Sequence, residues 1–197
     1  MLENLRGYEI VLASQSPRRR RLMEGLGVEF KVVASHADEH VGKNVSPEDA
    51  VKTISQRKAH AVTGMFGDNA LIIAADTIVY IDRTKIGKPA SEEEACEMLE
   101  HLSGRWHDVM TGVTLAGKWG EKCFSAKSSV CFAPLTKEEI AYYVRKAKPL
   151  DKAGAYGIQE WIGIVGIREI RGSFYNVMGL PTSRLYSELK KIPEYVD

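Results

Sequence analysis

The chain has 197 residues, a formal net charge of +1, and 44% hydrophobic and 27% charged residues. That composition suits a globular protein with a sizeable core, and the near-zero charge argues against a general nucleic-acid binder. Cys96, Cys123 and Cys131 have neither metal spacing nor the number for a full disulfide set, and no run is apolar enough to span a bilayer. A soluble cytoplasmic protein without a signal peptide or membrane partner is therefore expected.

Tyr8 to Ala13 reads as a buried strand. Ser16 then suits an N-cap and Pro17 the first helical position, opening a helix that ends near Gly27 with Leu22, Met23 and Leu26 on its core side. Arg18, Arg19, Arg20 and Arg21 crowd its first turns, where positive charge opposes the macrodipole. The stretch fits an anion site built from free N–H groups and guanidinium forks, or a solvated basic face; alone it does not choose.

Val28 to Ala34 reads as a second strand, and Ser35 to Asn44 as a polar loop carrying Asp38 and Glu39. Ser46-Pro47-Glu48-Asp49 starts a helix that runs to about Met65, with an apolar stripe of Val51, Ile54, Val62 and Met65. Lys58 falls on that stripe, so it either meets an anionic partner or snorkels outward. Leu71 to Tyr80 is the most strand-like run, with the continuous apolar character of a central strand. Asp76 interrupts it and reads as a site carboxylate, because apolar residues continue beyond it.

A turn at Asp82-Arg83-Thr84-Lys85 leads to Ile86-Gly87-Lys88-Pro89. Ser91 and Glu94 form a capping box for a helix burying Ala95, Met98, Leu99 and Leu102, ended by Gly104. Strands are expected around Val109–Ala116 and Lys122–Phe132, then a helix capped by Thr136 and Glu139 and stopped before Pro149. A glycine-punctuated stretch, Asp151 to Gln159, precedes an expected hairpin of Ile162–Ile170 and Phe174–Val177, and a last helix capped at Thr182 or Ser183. Alternating strands and helices without repeats or long linkers argue one α/β domain over residues 1–197 with a mixed sheet.

Ser14, Ser16, Arg18, Arg19, Lys58 and Lys88 supply anion-binding groups, Asp38, Glu39 and Asp76 supply carboxylates, and Gln159 sits in a glycine-rich loop. Together they suit cleavage of a polyphosphate: cations neutralise phosphate charge, carboxylates hold a divalent metal, and one accepts a proton from water. Gln159 offers a donor and an acceptor to a base edge. There is no P-loop, no Gly-x-Ser-x-Gly elbow, and no zinc spacing among His36, His40, His60, His101 and His107.

Leu12-Ala13-Ser14-Gln15-Ser16-Pro17-Arg18-Arg19, Ala75-Asp76-Thr77, Gly87-Lys88-Pro89, Leu102-Ser103-Gly104, Met110-Thr111-Gly112-Val113, Asp151 to Gln159 and Gly179-Leu180-Pro181 occur in the order of the Maf family of nucleoside triphosphate pyrophosphatases, which the chain resembles from about Ile10 to Leu189. The resemblance implies a fold like that of the inosine triphosphate pyrophosphatases, with an elongated mixed sheet, flanking helices and a cleft between two lobes. It implies hydrolysis between the α and β phosphates with Mg²⁺ or Mn²⁺. It makes Asp76 the general base, Ser14, Ser16, Arg19, Lys58 and Lys88 phosphate contacts, and Glu39 with Asp76 metal ligands. Arg18, Thr77 and Gln159 match the branch that prefers dTTP and UTP, and not the branch acting on 7-methyl-GTP. Relatives often place Gly directly after the glutamine; here Glu160-Trp161-Ile162 stand before Gly163. The resemblance also raises a regulatory role at septum formation, and a homodimer, as further expectations.

Overall fold

The computed structural model describes residues 2–42, 45–82 and 84–196. Its strands, in chain order, are β1 (Glu9–Ala13), β2 (Lys31–Val33), β3 (Ala70–Ile81), β4 (Thr84–Ile86), β5 (Trp106–Gly117), β6 (Gly120–Phe132) and β7 (Ile167–Arg171). The helices are α1 (Pro17–Glu24), α2 (Pro47–Thr63), α3 (Glu92–Leu102), α4 (Lys137–Ala147), α5 (Trp161–Gly166), α6 (Phe174–Met178) and α7 (Thr182–Leu189), with single 3-10 turns at Glu3–Leu5, Pro149–Asp151 and Ala153–Ala155. The strands form one mixed sheet in the order β2-β1-β3-β5-β6-β7, with β4 paired to β3. Among the described residues no helix is long and apolar enough to cross a membrane.

The chain divides into two compact units. The first comprises Met1–Asp76, Thr111–Ala126 and Gly179–Asp197; the second comprises Thr77–Met110 and Lys127–Met178.

In the first unit β1 pairs in parallel with β2 and with β3, in a register that sets Leu12 against Ile73. Ser14 follows the end of β1 and Asp76 lies three residues beyond Ile73, so both belong to the carboxyl-terminal region of parallel strands, where open α/β sheets place their ligands. Val11, Ala13, Ile72, Ala74, Ala59 and Val62 share one core cluster, each burying its side chain fully. The small side chains on β1 and β3 let α2 lie close to the sheet. Gly112 takes this furthest: a Cβ there would sit 2.4 Å from the Val51 carbonyl oxygen. Ser55 on α2 and Thr114 on β5 then join through their hydroxyls at 2.8 Å, satisfying two buried polar groups.

In the second unit β4 pairs antiparallel with β3, and β7 antiparallel with β6, the latter with a bulge between Cys131 and Phe132. The Thr136–Glu139 capping box on α4 has both reciprocal bonds. Gly104, at φ +70°, ends the α3 connection and donates its N–H to the Ala133 carbonyl at 3.1 Å, while the Ser103 hydroxyl accepts from Leu135 N–H at 2.8 Å. These bonds tie Ser103 and Gly104 to residues 133–135.

Several expectations need correction. The hairpin of Ile162–Ile170 and Phe174–Val177 does not form: Trp161–Gly166 and Phe174–Met178 are helices, and only Ile167–Arg171 is a strand. The apolar run at 162–165 mimics a strand, yet Ile164 and Val165 are exposed and the Ile164 N–H bonds back to the Glu160 carbonyl. Ser173 accepts from the Asn176 N–H at 3.3 Å, a cap that turns the next residues into helix. Met65 lies beyond α2 and is exposed. Met98 and Leu26 are half-buried. The Ser91–Glu94 box is only half made, since Glu94 accepts from the Ala90 N–H instead. Pro181 occupies the cap of α7 and Thr182 is its first helical residue. The second strand is shorter than expected, Lys31–Val33, with Lys31 and Val32 exposed and Val33 partly buried against the core. Asn44 of the expected loop and Arg83 of the expected turn lie outside the described residues.

Candidate active site

The arginine helix begins as its sequence suggests: Ser16 is the N-cap, its hydroxyl accepting from the Arg19 N–H at 3.4 Å, with Pro17 at the first position. Ser14, just ahead, accepts from the Ser16 N–H at 3.2 Å and from Arg19 Nη1 at 3.4 Å. Arg19 is 9% exposed, and its Nε donates to the Gly179 carbonyl at 2.8 Å. Gly179 has φ +117°, a backbone only glycine adopts without strain, so the Gly179-Leu180-Pro181 motif presents a carbonyl that aims a guanidinium. Burial pushes the Arg19 pKa down, and the Asp76 and Glu39 carboxylates oppose that push. The four arginines part company here. Arg20 forms an exposed i,i+4 pair with Glu24 at 3.0 Å, Arg21 is exposed, and Arg18 is half-buried.

Lys58 does not snorkel. It is 7% exposed, and its Nζ sits 2.7 Å from Asp76 Oδ1 and 2.6 Å from Glu39 Oε1. Asp76 is itself 8% exposed, so the pair satisfies the requirement that buried charges be matched. Glu39 is half exposed and comes from the loop after β2. That loop is tied to α2 by Arg57, whose Nη1 donates to the His40 carbonyl at 2.5 Å, while the His40 N–H bonds Asp38 Oδ1 at 2.8 Å. Arg57 escaped the sequence reading because a link across seventeen residues leaves no periodic trace. His36 and His40 are exposed loop residues.

The first unit thus gathers Ser14, Ser16, Arg19, Glu39, Lys58 and Asp76 into one cluster of anion-binding groups and carboxylates. Among the described residues no group of three or more His, Cys, Asp or Glu side chains is arranged as a metal cage. Two carboxylates converging on one cation is nonetheless the donor set that Mg²⁺-type ions use when phosphate and water complete their shell.

Thr77, Lys88 and Gln159 belong to the second unit. Thr77 is half-buried and Lys88 is exposed. Gly87, next to Lys88, accepts from the Gly154 N–H at 2.9 Å, which stitches the Gly87-Lys88-Pro89 segment to the glycine-punctuated stretch. Gly154 has φ +70°, and a Cβ on it would press Val79 at 3.2 Å. Gln159 Oε1 is buried and, among the described residues, has no hydrogen-bond partner. An orphaned acceptor of this kind costs free energy unless something arrives to pair with it.

Two further features of this unit were missed. Tyr143 on α4 accepts from the Gly157 N–H at 3.0 Å and donates to Glu160 Oε2. Burial and the Glu160 carboxylate both raise its pKa, which keeps the phenol a donor. His107 is 2% exposed, stacks on Phe132 and shares a 2.7 Å hydrogen bond with the Tyr156 hydroxyl. Burial lowers its pKa to about 4.

A mixed α/β sheet with a buried lysine–carboxylate cluster beside an anion-ready helix start defines a phosphate-handling α/β protein. The sequence matches the family described as "Maf-like protein" over residues 9–192, and the chain belongs to that family. It is 52% identical over 191 residues to a dTTP/UTP pyrophosphatase of Parabacteroides distasonis, covering 96% of this chain and 99% of that one. Identity is 50% over 193 residues to a dTTP/UTP pyrophosphatase of Bacteroides thetaiotaomicron, covering 98% and 100%. A HAM1 protein from Coxiella burnetii shares the fold, with a TM-score of 0.51 at 19% identity over 94% of this chain and all of that one.

Proposed function

We propose that this protein hydrolyses dTTP and UTP to the monophosphate and pyrophosphate. The observation that carries the chemistry is the Lys58 ammonium held between Asp76 and Glu39, at 2.7 and 2.6 Å, in the same cluster as Ser14 and Arg19. Asp76 is the base: Lys58 fixes one carboxylate oxygen and so orients the group that takes a proton from the attacking water. Arg19, Lys58 and Lys88 neutralise phosphate charge and the Ser14 and Ser16 hydroxyls donate to phosphate oxygens, a stabilisation that grows as charge develops in the transition state.

Glu39 and Asp76 would hold a Mg²⁺ or Mn²⁺ ion, which supplies Lewis-acid polarisation of the phosphates when bound. Base selection falls to Arg18, Thr77 and Gln159. Thymine and uracil share an N3–H donor between two carbonyls, and the orphaned Gln159 Oε1 is an acceptor suited to it. Cytosine has no such N–H. The names of the relatives support the same substrates.

The test is a screen of purified protein against dTTP, UTP, CTP and the purine triphosphates with Mg²⁺ or Mn²⁺, reading pyrophosphate separately from phosphate. Pyrophosphate from dTTP and UTP is expected. Orthophosphate alone, or turnover only of purine nucleotides, would overturn the reading.

A further inference from the structure

We propose that Tyr143 and Glu160 are positioning residues for base selection: with Lys152 they clasp residues 157–160 and hold Gln159 ready for the pyrimidine. The proposal rests on the reading that Gln159 meets the base. Tyr143 is fully buried on α4, and its hydroxyl makes two bonds into the loop, one from the Gly157 N–H and one to Glu160. The other Glu160 oxygen lies 3.3 Å from Lys152 Nζ, and Lys152, also buried, pairs with Asp151 at 2.7 Å. The Glu160 N–H closes the turn on the Gly157 carbonyl at 2.9 Å.

Two glycines exist to admit this arrangement. A Cβ on Gly157 would stand 2.6 Å from the Glu160 carboxyl carbon, and one on Gly163 would stand 1.8 Å from the Ile158 carbonyl oxygen. The backbone on both sides of Ile158-Gln159 is therefore pinned. A buried lysine is costly to desolvate even when it meets a partly exposed carboxylate such as Glu160, and the pair contributes little net stability compared with apolar packing, so its use here favours a role in conformational specificity. That role is to keep the Gln159 acceptor buried and unpartnered in advance of the substrate. A loop free to relax would turn that oxygen to water and forfeit the preorganisation.

The readout is the ratio of kcat/KM for UTP to that for CTP, which loss of stability alone does not move. Tyr143→Phe leaves the Gly157 N–H without its acceptor and Glu160 held by Lys152 alone, and is expected to lower the ratio about tenfold, through KM for UTP. Glu160→Ala is expected to do the same, whereas Glu160→Gln retains a carbonyl acceptor for Tyr143 and keeps most of the ratio. In the Gln159→Ala background, Tyr143→Phe is expected to change the ratio less than about twofold, since the two act through one contact. Thermal melts certify that each variant is folded at the assay temperature. A ratio that collapses in Gln159→Ala but holds in both Tyr143→Phe and Glu160→Ala overturns the clasp alone. Full additivity in the double variant also overturns it. A ratio untouched by Gln159→Ala removes base reading by that residue, and the clasp with it.

Discussion

In the first unit the working groups are charged side chains that converge from distant segments: Arg19 from α1, Glu39 from a loop, Lys58 from α2 and Asp76 from β3. In the second they are few, and most of the hydrogen bonding goes into fixing backbone, as where Tyr143 and Glu160 grip residues 157–160. The first cluster supplies charge for a reaction; the second shapes a contact for recognition. The difference has an energetic consequence. Buried charges must be matched, so loss of Lys58 or Asp76 unbalances the first cluster. A pinned loop loses selectivity before it loses turnover.

The comparison is tested hardest by Asp76→Asn, which keeps shape and removes the base. A fall of about 10³-fold in kcat for pyrophosphate release from dTTP is expected, with a lowered urea midpoint as well, because Lys58 loses its buried counter-charge. Retained turnover would transfer the base role elsewhere. Next, Lys58→Met leaves Asp76 buried without its cation, and urea denaturation is expected to show about 3 to 5 kcal/mol of lost stability.

The neutral His107 of the second unit provides the pH arm. Folded His107 titrates at about 4 against 6.5 when exposed. Between those values the unfolded chain binds a proton that the folded chain does not, so stability falls as pH drops from about 6.5 towards 4, by about 3 kcal/mol. Subtracting the stability–pH curve of His107→Phe from that of the wild type isolates this contribution; parallel curves would contradict it.

Smaller again is Gly112→Ala. Its Cβ would collide with Val51 backbone, forcing α2 off β5 at a cost of about 2 kcal/mol and displacing Lys58, so kcat falls with stability. Last is Arg20→Ala, which removes only an exposed i,i+4 pair. It should change stability by less than about 0.5 kcal/mol and leave kinetics alone, against a large kinetic loss in Arg19→Ala.

The α/β alternation, the starts of α1, α2 and α4, the central β3, and the odd placement of Lys58 and Asp76 were all legible from the chain. These signals are local: a cap is three residues long, a buried stripe repeats every turn, and a charge in an apolar run stands out by itself. Residues 161–178 were misread for the same reason. A short run such as Ile162-Gly163-Ile164-Val165 has one apolar pattern for strand and helix, and only the contacts of Glu160 and Ser173 decide it.

Local rules left open whether Arg18 to Arg21 were site or surface, and whether Lys58 was paired or solvated. The fold separated them by burial, sending Arg19 to the Gly179 carbonyl and Arg20 to solvent with Glu24. Arg57, Tyr143 and Glu160 gained their tasks only from neighbours far along the chain or across a loop. The value of a polar side chain depends on whether water or protein surrounds it, and that is a property of packing in three dimensions.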